Sequence, residues 1–281
     1  MPFLEQNEAV IRMSVFAGVF TVMAILETLF PRKTRTQGRL HRWTTNWILV
    51  VANTAALRVI LPVLAVEMAL ISAANGWGLL NLTSLPVWME IMLAVLALDC
   101  LVYAQHVATH KIPILWRLHK VHHADRDIDV TTGARFHPVE IVLSMVFKLG
   151  CVLALGPSAA AVILFEVILN ASAMFNHSNV KLPIWADRVL RVFIVTPDVH
   201  RVHHSVVHTE TDSNYGFFLT LWDRLFGTYT AQPSAGHDGM TIGLSEYQSG
   251  KPAQLLWSLF VPFQMKPTNA APRDEDLEVS S

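Results

Sequence analysis

Long apolar runs alternate with short polar stretches along this chain, and the runs have the length of membrane helices rather than strands. The first, from Met13 to Phe30, covers about 27 Å as a helix at ~1.5 Å per residue, enough to cross a bilayer core. Acidic Glu5 and Glu8 precede it and no small-residue cleavage site follows, so it reads as a retained anchor rather than a removed signal peptide. Next comes PRKTRTQGRLHR, in which Arg32, Lys33, Arg35, Arg39 and Arg42 stand without an acid; the positive-inside rule places this loop in the cytoplasm. A second run, Trp47 to Ile71, carries Arg58, Pro62 and Glu67 and leads to an outer loop with Asn75, Gly76 and Asn81, free of basic residues and flanked by Trp77 and Trp88 as interface anchors. A third run, Val87 to Ala104, returns to the cytoplasmic side. The apolar stretch Val139 to Met174 is divided by Gly156 and Pro157 into halves of about 17 residues, the short limit for spanning. It predicts a tight helical hairpin, tilted or partly re-entrant, that comes back to the cytoplasm at His177. The segment Ala253 to Met265 is too short to span and reads as interfacial, and the tail KPTNAAPRDEDLEVSS reads as disordered.

The pattern therefore predicts an all-α integral membrane helical bundle of four or five membrane segments, capped on the cytoplasmic side by a histidine-rich di-metal region. Residues 1–98 form the anchoring helices, 99–230 the histidine-box region including the 139–174 hairpin, and 231–281 the interfacial helix and tail. The expected location is a bacterial inner membrane or its equivalent. Composition agrees: 52% of residues are hydrophobic, 15% are charged, and the mean hydropathy is +0.39. A net charge of -1 argues against nucleic acid as a partner. Cys100 and Cys151 both lie in apolar runs, so neither a disulfide framework nor a cysteine metal site is supported.

Candidate chemistry sits at the polar ends of these runs. Of 13 histidines, eight fall in three boxes: His106 and His110; His119, His122 and His123; His200, His203 and His204. Residues three and four apart share a helix face, so each box aims its imidazoles in one direction. Neutral imidazole suits iron, zinc, copper and nickel, and eight or more histidines are too many for one ion. Two metals with an open position for a small molecule account for the number. Iron fits an oxidative role beside an unreactive C–H bond. His177 is read as a ninth ligand, and His137 as a tenth or as a supporting donor held by Glu140. Asp99, seven residues before His106, is costly in an apolar span unless paired. It is read either as accepting an N–H from a ligating imidazole or as pairing with Arg58. Asn176, Asp198, Asp125 and Asp127 are further candidates for support behind the ligands. His41, His208 and His237 read as surface histidines, and Trp222, Phe226 and Tyr229 as packing or interface residues.

The boxes HVATH, HKVHH and HRVHH, together with RFHPVE, FNHSN, NYG and WDRLFGTY, resemble the fatty acid hydroxylase and sterol desaturase superfamily of membrane di-iron enzymes. The resemblance covers roughly Asp99 to Tyr229 and extends loosely to Glu27, Phe30, Pro31 and Arg32. It implies O2-dependent hydroxylation, desaturation or ether-bond oxidation of a membrane lipid. It also implies two iron ions, replaceable by zinc, and an external electron donor such as a ferredoxin, cytochrome or reductase. Fatty acid hydroxylases of this superfamily carry a histidine four residues before the one corresponding to His177; here that position is Ala173. The reading from another class, a non-redox metal-binding or transport protein, predicts polar residues running through the spans. Here the histidines stop at the cytoplasmic ends.

Overall fold

Pro62 ends a helix that hydrophobic pattern alone would continue. In a computed structural model that describes residues 2–264, α1 (Glu8–Leu29) is followed by α2 (Arg39–Ile60), α3 (Ala65–Asn75), α4 (Val87–Lys111), α5 (Pro113–His123), α6 (Pro138–Leu155), α7 (Ala159–His177) and α8 (Pro197–His203), with shorter helical turns between and after them. Among the described residues only isolated bridges stand in place of strands. The run expected from Trp47 to Ile71 is thus two helices. Proline has no N–H to donate and disfavours a helical residue before it, so Leu61 is extended and α3 starts afresh. Glu67 has a local role there, its Oε2 accepting the Leu64 N–H at 3.1 Å. The tail at 266–281 lies outside the described residues.

Five stretches are long and apolar enough to cross a membrane: 8–29, 39–82 (α2 and α3 together), 87–111, 138–155 and 159–177. The last, α7, is the centre of the bundle, 56% buried against 28% for α4. It packs on α1, α3, α4 and α8. Its first turns bring Ala159, Ala160 and Ala161 to a buried face, where small side chains let helices approach closely. The turn between α6 and α7 settles how deep the hairpin reaches. Gly156 has φ +62°, and a Cβ added there would collide with Trp77 O and Asn81 Nδ2, while one on Gly78 (φ +95°) would collide with Gly156 N. Glu90, at the start of α4, accepts the Ser158 N–H at 2.8 Å and the Ser158 hydroxyl at 2.9 Å. The hairpin tip therefore packs on the 76–82 loop and the start of α4, so α6 and α7 run the full length of the bundle. Each half of the hairpin is long and apolar enough to cross a membrane.

At the opposite end the basic loop is folded into the cap. Arg42, only 1% exposed at its side chain, grips Asp125 with Nε and Nη2, each at 2.7 Å, and Asp129 with Nη1 at 2.7 Å. Arg135 donates to Val121 O, Asn46 Oδ1, Pro252 O and Ser258 Oγ at 2.6 to 2.9 Å. Glu27, fully buried, receives Arg39 at 3.0 Å and the Val130 N–H at 3.0 Å. The 251–263 turns close over α5 and α2, with Val261 buried and Leu256, Phe260 and Phe263 exposed. Arg58 makes no ion pair among the described residues and is exposed on α2, so neither Asp99 nor Glu27 is its partner.

Candidate metal centre

Four helices deliver the histidines, each at the cap end of the bundle. His106 and His110 lie one turn apart near the end of α4; α5 restarts at Pro113, a residue suited to a first helical turn, and carries His119, His122 and His123. His177 is the last residue of α7, and α8 with its C-cap brings His200, His203 and His204. The nine imidazoles form two groups: His106, His110, His119, His123 and His203; and His122, His177, His200 and His204. Within each group one nitrogen per ring lies within 4.8 Å of every other. Eight of the residues are buried and the side chain of His110 is covered too.

Hydrogen bonds at the far ring atoms fix which nitrogens carry protons. Nδ1 of His106 faces Tyr215 O at 2.7 Å, that of His203 faces Ser213 O at 2.6 Å, and that of His177 faces Ala173 O at 2.7 Å. A carbonyl only accepts, so each Nδ1 donates and each Nε2 is left with a lone pair. His119 Nδ1 donates likewise to Glu140 Oε1 at 2.5 Å. The Nε2 atoms then converge: His106 lies 3.2 Å from His119 and 3.1 Å from His203, and His177 lies 3.1 Å from His122 and 2.9 Å from His200. In the first group, with a proton on each Nδ1, none remains for the gaps between His106, His119 and His203, so three buried lone pairs point at one another. A cation resolves that repulsion. Two imidazole nitrogens at right angles around an ion, each ~2.1 Å away, stand ~3.0 Å apart, which is the spacing found. Both ring nitrogens of His110, His123 and His204 are buried without a hydrogen-bond partner, as ligand rings would be in the absence of an ion.

Electrostatics agree. Burial lowers His122, His123, His200 and His204 far below the ordinary histidine value, reinforced by neighbouring imidazoles, and burial takes His203 down to about 3. At neutral pH all five are uncharged, the form that binds metals.

Several expectations about the surroundings are corrected. His137 is not in either group: its Nδ1 accepts the Val139 N–H at the start of α6, and its Nε2 donates to Leu259 O at 3.1 Å. Glu140 therefore supports His119 and not His137. Asp99 touches neither a box histidine nor Arg58; its Oδ2 accepts the Trp222 indole N–H at 2.7 Å and the Leu219 N–H at 3.3 Å. Trp222 accordingly has a polar partner beyond packing. Asp198 pairs with Arg32 and Arg201 rather than with a box imidazole. Asp125 and Asp127 serve Arg42 and the Thr36–Gln37 backbone. His237, read as a surface residue, is buried, with Asp198 3.6 Å away; His208 is exposed and joins no group. Asn176 donates to Phe217 O at 2.8 Å.

The 213–228 loop is the part that sequence reasoning missed. It supplies the carbonyls behind His203 and His106 and is itself clamped by Asp223, which accepts the Tyr215 and Gly216 N–H groups at 2.8 Å and the Thr228 hydroxyl at 2.7 Å. Asn214 takes the left-handed φ of 51° and binds Val199 O and Thr230 O. A lone acid inside the aromatic stretch FFLTLWDRLFGTY was the available signal; backbone carbonyls leave none.

Fold and site together define a helical membrane protein with two buried polyhistidine groups. Residues 91–228 match the fatty acid hydroxylase family, and the chain belongs to that superfamily over this region. It is 27% identical over 180 residues to human alkylglycerol monooxygenase, covering 62% of this chain and 38% of that protein. Over 184 residues it is 28% identical to the ornithine lipid hydroxylase OlsE of Rhizobium tropici, covering 64% and 52%. Over 145 residues it is 26% identical to rat cholesterol 25-hydroxylase, covering 51% and 48%. The matches thus span about half the length of these relatives or less. No solved structure matches the chain.

Proposed function

We propose that the nine imidazoles hold two iron ions and that the protein is a membrane lipid oxidoreductase, most simply a hydroxylase. The observation that carries this reading is the pair of buried imidazole groups, in the first of which three lone pairs face one another. Iron bound there supplies O2-dependent oxidation of a C–H bond, chemistry that acid and base side chains lack. Zinc fits the same all-imidazole donors and can replace it during overexpression. The chain's own residues prepare the site. Ser213 O, Tyr215 O, Ala173 O and Glu140 hold four Nδ1 protons, so the opposite nitrogens face inward with the rings fixed and more basic. Burial keeps bulk water from the imidazoles. The lipid chain enters from the membrane between helices, where Leu93 of α4 and Leu143, Val146 and Phe147 of α6 present exposed apolar faces. Electrons come from an external ferredoxin, cytochrome or reductase.

All three relatives named above are called monooxygenase or hydroxylase, and each name gives a lipid, which favours hydroxylation over desaturation. The likeness to alkylglycerol monooxygenase keeps ether-bond oxidation as the second reading. Lipids extracted from cells with and without the gene are expected to differ by a species heavier by one oxygen; a loss of two hydrogens would point to desaturation, and identical lipidomes would refute the proposal.

The active site is proposed to face the cytoplasm, because the basic loop is built into the same cap as the histidines. With Cys100 and Cys151 replaced by alanine, cysteines at exposed Gly38 and His208 are expected to react only with reagent on the cytoplasmic side, and one at exposed Ala74 only from the other side. Labelling of Gly38 and His208 from opposite sides would refute the shared cap.

Gly133 offers a finer test. A Cβ there would lie 2.6 Å from Ala173 O, the acceptor of the His177 N–H, and 3.3 Å from His177 Nδ1. Gly133→Ala is expected to weaken metal binding at the four-histidine group by ~10 to 100-fold, as loss of an outer hydrogen bond does, while sparing the other group. Metal analysis after mild chelation should then find one ion per chain where the parent keeps two.

A further inference from the structure

The cap contains a cavity that none of the nine imidazoles lines and that the proposed oxidation does not use. It measures about 500 Å³, within the range of small-molecule sites, and is walled by the 32–36 loop, the 126–128 turn, Asn179 and the 238–242 segment. Four cations line it, Arg32, Lys33, Arg35 and Arg126, against two acids, Asp127 and Asp238. Both acids are already committed. Asp127 spends its oxygens on the Thr36 N–H at 2.7 Å, the Gln37 N–H at 2.6 Å and the Thr36 hydroxyl at 3.1 Å, and Asp238 pairs with Arg32 at 2.5 Å. The cations keep donors to spare. Nε of Arg35 is buried without a partner, and its Nη2 reaches Glu27 only at 3.4 Å. Lys33 Nζ donates to the carbonyls of His237 and Asp238, at 3.0 and 2.8 Å, and makes no ion pair within 4 Å among the described residues. Arg126 binds the neutral Gln248 Oε1 and Ser249 O. At the floor, Ile128, Met240 and Ile242 form a small buried apolar cluster.

We propose that this cavity is a binding site for a phosphate group carried on a small organic body, a phospholipid headgroup or a soluble phosphate ester. Guanidinium forks match phosphate oxygens in pairs, and a lysine adds a point charge. The apolar floor suits the carbon skeleton attached to the phosphate. The wall residues follow directly from α1 and precede α2, two helices long enough to span, so the cavity sits at the level where headgroups lie. The proposal is independent of the metal reading, since none of the nine histidines lines the cavity.

The test uses the full chain in phosphatidylcholine nanodiscs, with thermal unfolding as the readout. In one arm inorganic phosphate or glycerol 3-phosphate is titrated; in the other, part of the phosphatidylcholine is replaced by phosphatidic acid. A rise in midpoint in the first arm assigns soluble phosphate compounds, and a rise in the second alone assigns the lipid headgroup. Arg126→Gln and Thr241→Asp, both at the cavity, should raise the half-saturating concentration by ~10-fold or more, the effect of losing or opposing one charge-assisted contact, while Arg126→Lys should largely retain binding. Thr241 is exposed, so the baseline midpoint of its variant should match the parent and report binding alone. No shift in either arm, or equal shifts in parent and both charge variants, would overturn the proposal.

Discussion

Replacing His203 or His122 by alanine is expected to abolish lipid oxidation and to cut metal content, with the helical fold and membrane insertion retained. His203 Nε2 lies 3.1 Å from His106 Nε2, and His122 Nε2 lies 3.1 Å from His177 Nε2, so each variant removes one of the facing donors from a different group. A lost ligand should cost at least ~100-fold in metal affinity, beyond the ~10 to 100-fold typical of outer hydrogen bonds. Glu140→Gln provides the graded comparison. It keeps an oxygen for the His119 N–H but loses the carboxylate charge, and should fall inside the lower range. Iron analysis and turnover on the same preparations check both. Full metal and full activity in either alanine variant would remove that histidine from the ligand set.

Arg42→Leu is expected to be the most destabilising single change outside the histidines. It removes the partner of two buried carboxylates, Asp125 and Asp129, which are 3% and 0% exposed. Breaking a buried ion pair from one side costs about 3 to 5 kcal/mol, because the remaining charge stays desolvated. Here two like charges remain, so the upper end of that range applies. The same cluster gives a pH dependence. Burial alone would raise the Asp125 carboxyl, but the Arg42 guanidinium outweighs it and holds the group down to about 2, against an ordinary 3.8. An acid with a depressed folded value stabilises the fold above its unfolded value and loses that contribution as pH falls through the folded one. The parent should therefore lose stability between pH ~4 and ~2, and Arg42→Leu should gain relative to it over the same window. Unfolding midpoints of both proteins across that range are the measurement; parallel curves would show that Arg42 does not set the Asp125 carboxyl.

The amino-acid pattern by itself determined the class of this protein. Continuous apolar runs of helix-spanning length suit helices in a bilayer, because a helix satisfies every backbone group within its own segment. Periodicity places His110 one turn from His106, and His122 and His123 each about one turn from His119, so the boxes and the superfamily resemblance could be read before any coordinates. Tertiary structure decided how the imidazoles are shared out. His122 and His123 are neighbours in the chain yet belong to different groups, because adjacent helical residues point about 100° apart: His123 meets His110 of α4 and His203 of α8, while His122 meets His177 of α7 and His204. It decided the buried acids too. Asp99 and Asp125 lie close in sequence to box histidines, but their partners are Trp222 and Arg42. A carboxylate in a low-dielectric interior goes to whichever donor the packing delivers, and these donors come from segments 83 and 123 positions away. The carbonyls that set the ring tautomers were beyond reach for a further reason. Every residue has one, so only the folded loop shows that those of Ser213 and Tyr215 are the ones behind His203 and His106.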